Sequence, residues 1–274
     1  QRLYIETTRR VKKRAEQIAK ELNITGPFNI QFLAHKNKIQ VIECNLRASR
    51  SFPFCSKVFK QNMIEIATKA ILDQKIKKVD KSSLDLDHVG VKAPQFSFSR
   101  LKGADPISGV EMASTGEVGC IGHELNDAFL KAMLSVGFVI PEKSIFFSAD
   151  VIEDRVDFLD SFKKLKKLGF TLFSSEETLL FMKEKGIEVK ELYLPLQNRT
   201  PNVLDYIKEH RIDLVINIPK NNSDIESKND YLIRRTAVDF EIPLITNLQI
   251  AKRMTDALEY YKQKGLDILS WEEY

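Results

Sequence analysis

The sequence predicts an α/β protein in two parts: a partial α+β unit built on an antiparallel hairpin, then a doubly wound parallel sheet. Three observations predict this. The length of 274 residues exceeds the usual size of one domain. Two short strand-like runs near the start, Phe28 to Ala34 and Lys38 to Asn45, are joined only by the polar turn His35-Lys36-Asn37. Beyond Pro141 strand-like and helical runs alternate regularly, the pattern of a parallel sheet with helices on both faces. The expected boundary therefore separates residues 1–141 from residues 142–274.

A helix is expected from Thr7 to Leu22, where Val11, Ala15, Ile18, Ala19 and Leu22 recur at helical spacing and Asn23 with Gly26-Pro27 ends the run. The hairpin follows, then a helix from Gln61 to Asp73 and a polar linker to His88. Val89 to Lys92 reads as a strand, Gly103-Ala104-Asp105-Pro106 as a loop, and Asn126 to Val136 as a helix. In the second part strands are expected at Ser144–Ala149, Gly169–Phe173, Glu188–Leu192, Asp213–Ile218 and Pro243–Thr246. Helices are expected at Glu153–Leu168, Ser175–Lys185, Pro201–His210, Asp230–Phe240 and Leu248–Lys262. In such sheets ligands bind outside the carboxyl ends of the strands.

The net charge of +4 is small for this length, and lysine runs such as Lys163 to Lys167 are not interleaved with aromatic residues. They read as solvated helix surface, not as a nucleic-acid stripe. Cys44, Cys55 and Cys120 are odd in number and lack metal-ligand spacing, which fits reduced thiols in the cytoplasm or, alternatively, the mitochondrial matrix. No apolar run approaches bilayer-spanning length, so neither a membrane nor nucleic acid is an expected partner. The first residue is Gln1 rather than Met, and the expectation is a fragment of a longer chain.

In Val41-Ile42-Glu43-Cys44-Asn45-Leu46-Arg47 a period of two places Glu43, Asn45 and Arg47 on one face and Ile42, Cys44 and Leu46 on the other. A register that sets Gln31 across from Glu43 and Asn45 gathers one carboxylate and two amide oxygens. Mg²⁺ is held by a few such hard oxygens together with substrate phosphates. Arg47 and Arg50 lie just beyond, suited to phosphate oxygens. From spacing alone, an ordinary half-exposed strand whose Glu and Arg pair stands equally. Ser114-Thr115-Gly116-Glu117 reads as a tight turn in preference to a phosphate loop, because Glu117 would repel the anion.

Ser175 joins a strand end to a helix start, with Thr178 one turn on. A capping box without a ligand is the reading the local pattern favours. The alternative is an anion held by Ser175 and Thr178 at the helix N-terminus. Asn217 and Lys220 end another strand facing the same crevice, and Arg155 adds positive charge.

Glu43-Cys44-Asn45-Leu46-Arg47-Ala48-Ser49-Arg50-Ser51-Phe52-Pro53-Phe54 closely resembles the metal- and phosphate-binding strand and loop of the carbamoyl-phosphate synthetase family. Gly26 to Phe32, Val91 to Phe98 and Glu111 to Val118 are similar to further segments of that family, in the same order. The resemblance implies the end of a second ATP-grasp unit followed by a methylglyoxal-synthase-like regulatory domain. It implies ATP and Mg²⁺ as cofactors, with Mn²⁺ able to replace Mg²⁺, and phosphorylation of carbamate as the reaction. Gln31, Glu43 and Asn45 would be metal ligands, and Arg47 and Arg50 would meet ATP phosphates. The rest of the synthetase chain and a glutaminase domain or subunit would be partners. With lid and nucleotide-holding lysines absent, the isolated chain should make no measurable carbamoyl phosphate.

By the same resemblance Arg155, Ser175, Thr178, Asn217 and Lys220 occupy positions that bind a small-molecule effector. Leu194 and Lys220 depart from the acetylglutamate-activated members, and Lys220 suits a nucleotide or phosphoribosyl effector. Val89 to Leu101 is similar to pyrimidine-pathway members and Tyr231 to Asp239 to ammonia-dependent ones of the arginine and urea routes. Two other readings are a non-catalytic anion-binding module and a methylglyoxal synthase. The lyase needs an acid/base Asp and His, and His210 is the one histidine beyond residue 141.

Overall fold

The computed structural model describes residues 3–77, 82, 86–107, 116–219 and 228–274. The chain forms two compact units that divide at Asp87/His88.

In the first unit, α1 (Ile5–Glu21) is followed by β1 (Asn29–His35) and β2 (Lys38–Asn45), paired antiparallel. Lys36 and Asn37 both adopt positive φ, 48° and 62°, which makes the connection a tight two-residue turn whose twist matches the strands. Thr7 Oγ1 donates to Asn37 Oδ1 at 2.6 Å and ties α1 to that turn. A bulge between Gln31 and Phe32 of β1 and their partners leaves Ile42 unpaired. Two helices follow, α2 (Phe52–Phe59) and α3 (Met63–Ile71). The α3 start is capped by Asn62, whose side chain accepts from the Glu65 N–H at 3.0 Å. The α2 helix was not expected: it is short, carries Pro53 in its first turn and lies inside a segment that reads as a phosphate loop. Among the described residues of this unit Val58 and Ala67 are the only buried apolar side chains.

The second unit opens with β3 (Val89–Gln95) and β4 (Gly116–Gly122), antiparallel, and α4 (Leu125–Ser135) packed against both. A Cβ on Gly122 would stand 2.6 Å from the Ala128 amide nitrogen, so only glycine admits this approach. Then comes the alternation: β5 (Ser144–Ala149), α5 (Ile152–Asp157), α6 (Leu159–Lys167), β6 (Thr171–Ser174), α7 (Glu176–Glu184), β7 (Lys190–Glu191), α8 (Val203–Lys208), β8 (Leu214–Ile218), α9 (Lys228–Asp239), β9 (Leu244–Ile245) and α10 (Leu248–Lys264). The five strands are all parallel in the order β7-β6-β5-β8-β9, the doubly wound sheet that the alternation predicts. The direction of winding reverses between β5 and β8, where such sheets open a crevice. The expected single helix from Glu153 is two helices, because Phe158 turns inward at the junction and stacks on Phe147, centroids 4.7 Å apart.

The compact units thus part company with the change of pattern at Pro141. Alternation does begin at β5, yet Phe129 and Leu130 of α4 lie in the same core as Ile145, Phe147 and Met254. Burial of those side chains joins residues 88–141 to the parallel sheet.

Candidate functional site

The hairpin builds an oxygen cluster. Gln31 lies directly opposite Glu43, and Asn29 opposite Asn45, so the register that the metal reading requires is present. Directly paired residues have Cβ atoms about 5 Å apart, within common reach of a small cation. The Asn45 Nδ2 donates to Glu43 Oε1 at 2.8 Å, which leaves the second carboxylate oxygen and the Asn45 carbonyl oxygen for another partner. Glu43 makes no ion pair with Arg47 or Arg50 among the described residues. The Arg47 guanidinium instead reaches its neighbour's carbonyl, Ala48 O, at 3.3 Å, and both arginines are exposed. The plain pairing of strand Glu with strand Arg is therefore not what forms. One carboxylate with two amides is a donor set that fits Mg²⁺. The expected apolar face is not covered: Ile42 is 62% exposed and Leu46 61%.

In the second unit, the carboxyl ends of β5 and β8 bring Ser148 and Asn217 to one level of the sheet, while Ser174, which ends β6, lies one residue back, level with Phe147. Ser175 occupies the N-cap of α7 with extended backbone, yet its side chain makes no capping bond. The expected capping box is thus a correction: Ser175 is placed for it but does not form it. Thr178, one turn on, is fully buried, and its Oγ1 has no hydrogen-bond partner among the described residues. A buried hydroxyl without a partner costs roughly 1–3 kcal/mol. The first helical bond of α7 is Leu179 N–H to Ser175 O, 3.0 Å, so the N–H groups of Glu176, Glu177 and Thr178 precede it.

Arg155 is 8% exposed. Its Nε donates to Ala149 O at 2.8 Å, and Nη2 to Asp150 O at 2.9 Å and Glu177 Oε2 at 2.7 Å. It ties the β5 end to the start of α7, while Nη1 makes no hydrogen bond among the described residues. Asn217 is fully buried with its amide engaged on both sides: Nδ2 donates to Asp230 Oδ1 at 2.9 Å, and Oδ1 accepts from Arg234 Nη1 at 2.7 Å. Lys220 lies outside the described residues, as do Ser114 and Thr115. Gly116 and Glu117 open β4, and Glu117 pairs with Lys92 at 3.2 Å. Leu194 is partly buried against the core cluster that contains Phe146 and Phe173.

Sequence reasoning did not name Asp105 and Asp230 as site residues and gave Arg234 no role. The available signal was the spacing of Tyr231, Arg234 and Arg235, which shares one helix face. A groove of about 520 Å³ lies elsewhere, lined by Ile152, Glu153, Asp157, Asp160 and Lys252. Its carboxylates and the Lys252–Asp157 pair at 2.7 Å disfavour an anion there.

Residues 157–246 match the family model described as an MGS-like domain. Residues 1–94 match the model described as ATP-grasp in the biosynthetic pathway with Ter operon. The chain is 46% identical over 263 residues to multifunctional protein pyr1-3 of Dictyostelium discoideum, an alignment covering 93% of this chain and 12% of that protein. It is 42% identical over 267 residues to multifunctional protein CAD of Squalus acanthias, covering 92% and 12%. To the mitochondrial carbamoyl-phosphate synthase [ammonia] of Homo sapiens it is 43% identical over 274 residues, covering 97% and 18%. The chain therefore spans between 12% and 18% of the length of these relatives. The resemblance carried by the Glu43–Phe54 segment extends along nearly the whole chain.

Proposed function

We propose that this chain is the C-terminal portion of a carbamoyl-phosphate synthetase, with residues 1–141 ending its second ATP-grasp unit and residues 142–274 forming its regulatory domain. The observation that carries the catalytic reading is the register that sets Gln31 opposite Glu43, with the Asn45 amide on the Glu43 carboxylate. Glu43, Gln31 and Asn45 would hold Mg²⁺, and Arg47 and Arg50 would orient the ATP phosphates by paired N–H donors. When bound, Mg²⁺ neutralises phosphate charge, so that transfer to carbamate depends on position and electrostatics. Strand register and the Lys36-Asn37 turn hold those side chains relative to one another. Carbamoyl phosphate is the product, and a glutaminase domain or subunit supplies the nitrogen.

The regulatory reading rests on the unpartnered Thr178 hydroxyl, with the Ser175 hydroxyl and the helix N–H groups beside it. Together with Arg155 Nη1 they suit an anionic effector, a phosphate-bearing one in preference to acetylglutamate.

In the whole protein carrying this chain, Glu43→Gln should lower the rate of carbamoyl-phosphate formation by about a hundredfold or more, the scale of losing one electrostatic contact to a transition state. The same variant should raise the Mg²⁺ concentration needed for half-maximal rate. An unchanged rate and an unchanged Mg²⁺ requirement would remove Glu43 from the site.

A further inference from the structure

The face of α9 that carries Tyr231, Arg234 and Arg235 clamps the loop between β3 and residue 107. Tyr231 Oη donates to Gly103 O at 3.0 Å. Arg235 Nη1 reaches the carbonyls of Phe98, Leu101 and Ala104 at 3.2, 3.1 and 3.0 Å. Arg234, fully buried, grips Asp105 in a bidentate pair, Nε to Oδ1 at 2.8 Å and Nη2 to Oδ2 at 2.6 Å. Its remaining nitrogen, Nη1, donates to Asn217 at the end of β8.

This network decides which way the Asn217 amide points. A guanidinium can only donate, so the atom facing Arg234 must be the amide oxygen. The Asp230 carboxylate accepts, so the atom facing it must be the amide nitrogen. Both constraints select one orientation of the amide. Each terminal amide nitrogen carries two hydrogens, and one of the two is committed to Asp230. The network thus makes Asn217 a donor with one N–H left among the described residues, level with Ser148 of β5.

Resting on the effector reading above, we propose that Asp105 and Arg234 are positioning residues for the effector crevice. They hold Asn217 as an N–H donor toward an anion and thereby couple the 98–105 loop to anion binding. Asp105 orients Arg234, Arg234 orients Asn217, and neither need touch the ligand. Coupling of this kind is reciprocal: if an ordered loop favours the anion, the anion orders the loop to the same degree.

The test uses the full-length protein, titrated calorimetrically with UTP and with phosphoribosyl pyrophosphate, while hydrogen exchange is followed in residues 98–105. In the wild type, the probe that binds should slow exchange in the loop. Asp105→Asn should weaken that binding roughly tenfold and abolish the slowing, and Asp105→Glu should restore part of both. Tyr231→Phe removes one loop bond without stranding a buried charge, and should weaken binding about two- to threefold, the low end for a substitution that modulates such a coupling. It serves if Asp105→Asn does not fold. Binding to wild type with unchanged affinity in both Asp105→Asn and Tyr231→Phe, or a loop whose exchange ignores the probe, overturns this inference alone. Failure of wild type to bind either probe overturns the effector reading and this inference with it.

Discussion

Residues 3–87 and residues 88–274 use their apolar side chains in opposite ways. The second unit closes a core on itself: Phe147, Phe158 and Phe162 form a mutual cluster with centroids 4.7, 4.9 and 5.2 Å apart, all essentially without exposure. The first unit buries Val58 and Ala67 while Leu3, Ile5, Leu33, Ile42, Leu46, Ile71 and Leu72 stand at least half exposed. Its metal-reading residues sit on a two-stranded ribbon, an arrangement marginal in water without further cover. The difference teaches where each function draws its rigidity. The crevice residues are fixed by their own unit's core and hydrogen bonds, whereas the hairpin fixes its oxygens only through strand register and one turn.

Perturbation of each unit tests this contrast. Phe147→Ala removes a fully buried ring and should cost about 3–5 kcal/mol by thermal or urea unfolding. A loss under about 1 kcal/mol would mean that the core is not the source of order in residues 88–274. A smaller effect, opposite in sign, is expected at Asp154. Burial first, then the neighbouring Asp157 and Glu153 charges, raise its carboxyl above the ordinary value. The folded state therefore holds that proton more tightly than the unfolded one, and stability from this group falls as pH rises through the carboxylate range. Asp154→Asn should stabilise by a few tenths of a kcal/mol at about pH 7, given its partial exposure, and do nothing near pH 3. A stabilisation that persists at the low pH would contradict this origin. The smallest effect belongs to Ile42→Ser in the ribbon, expected within about 0.5 kcal/mol of wild type in the 274-residue chain, as for other exposed substitutions. A loss comparable to that of Phe147→Ala would erase the distinction between the units.

Much of this was legible in the sequence for a physical reason. Strand alternation and the polar turn after Ala34 are local signals, so the hairpin, the five parallel strands and their order of appearance follow from periodicity. The pairing of Gln31 with Glu43 does not follow from the turn: the turn register alone would set Gln31 opposite Ile42, and the bulge after Gln31 shifts it to Glu43. What could not be read depended on contacts distant in sequence. The packing of Phe129 and Leu130 against Ile145 moves the unit boundary to Asp87/His88, and no local pattern announces it. The Arg234–Asp105 pair spans 129 positions. Ser175 and Thr178 have the spacing of a capping pair, yet they do not cap. That failure, with the Thr178 hydroxyl buried and unbonded among the described residues, is what the proposal of an anion site rests on.

The most direct measurement is therefore Thr178→Val in the full-length protein, followed by thermal unfolding and by titration with UTP and phosphoribosyl pyrophosphate. The hydroxyl has no partner to lose among the described residues, so the substitution should leave stability unchanged or raise it by about 1 kcal/mol, while binding of the effector falls at least about tenfold. Destabilisation by more than about 1 kcal/mol with effector binding intact would show that Thr178 serves the fold, and would contradict the account.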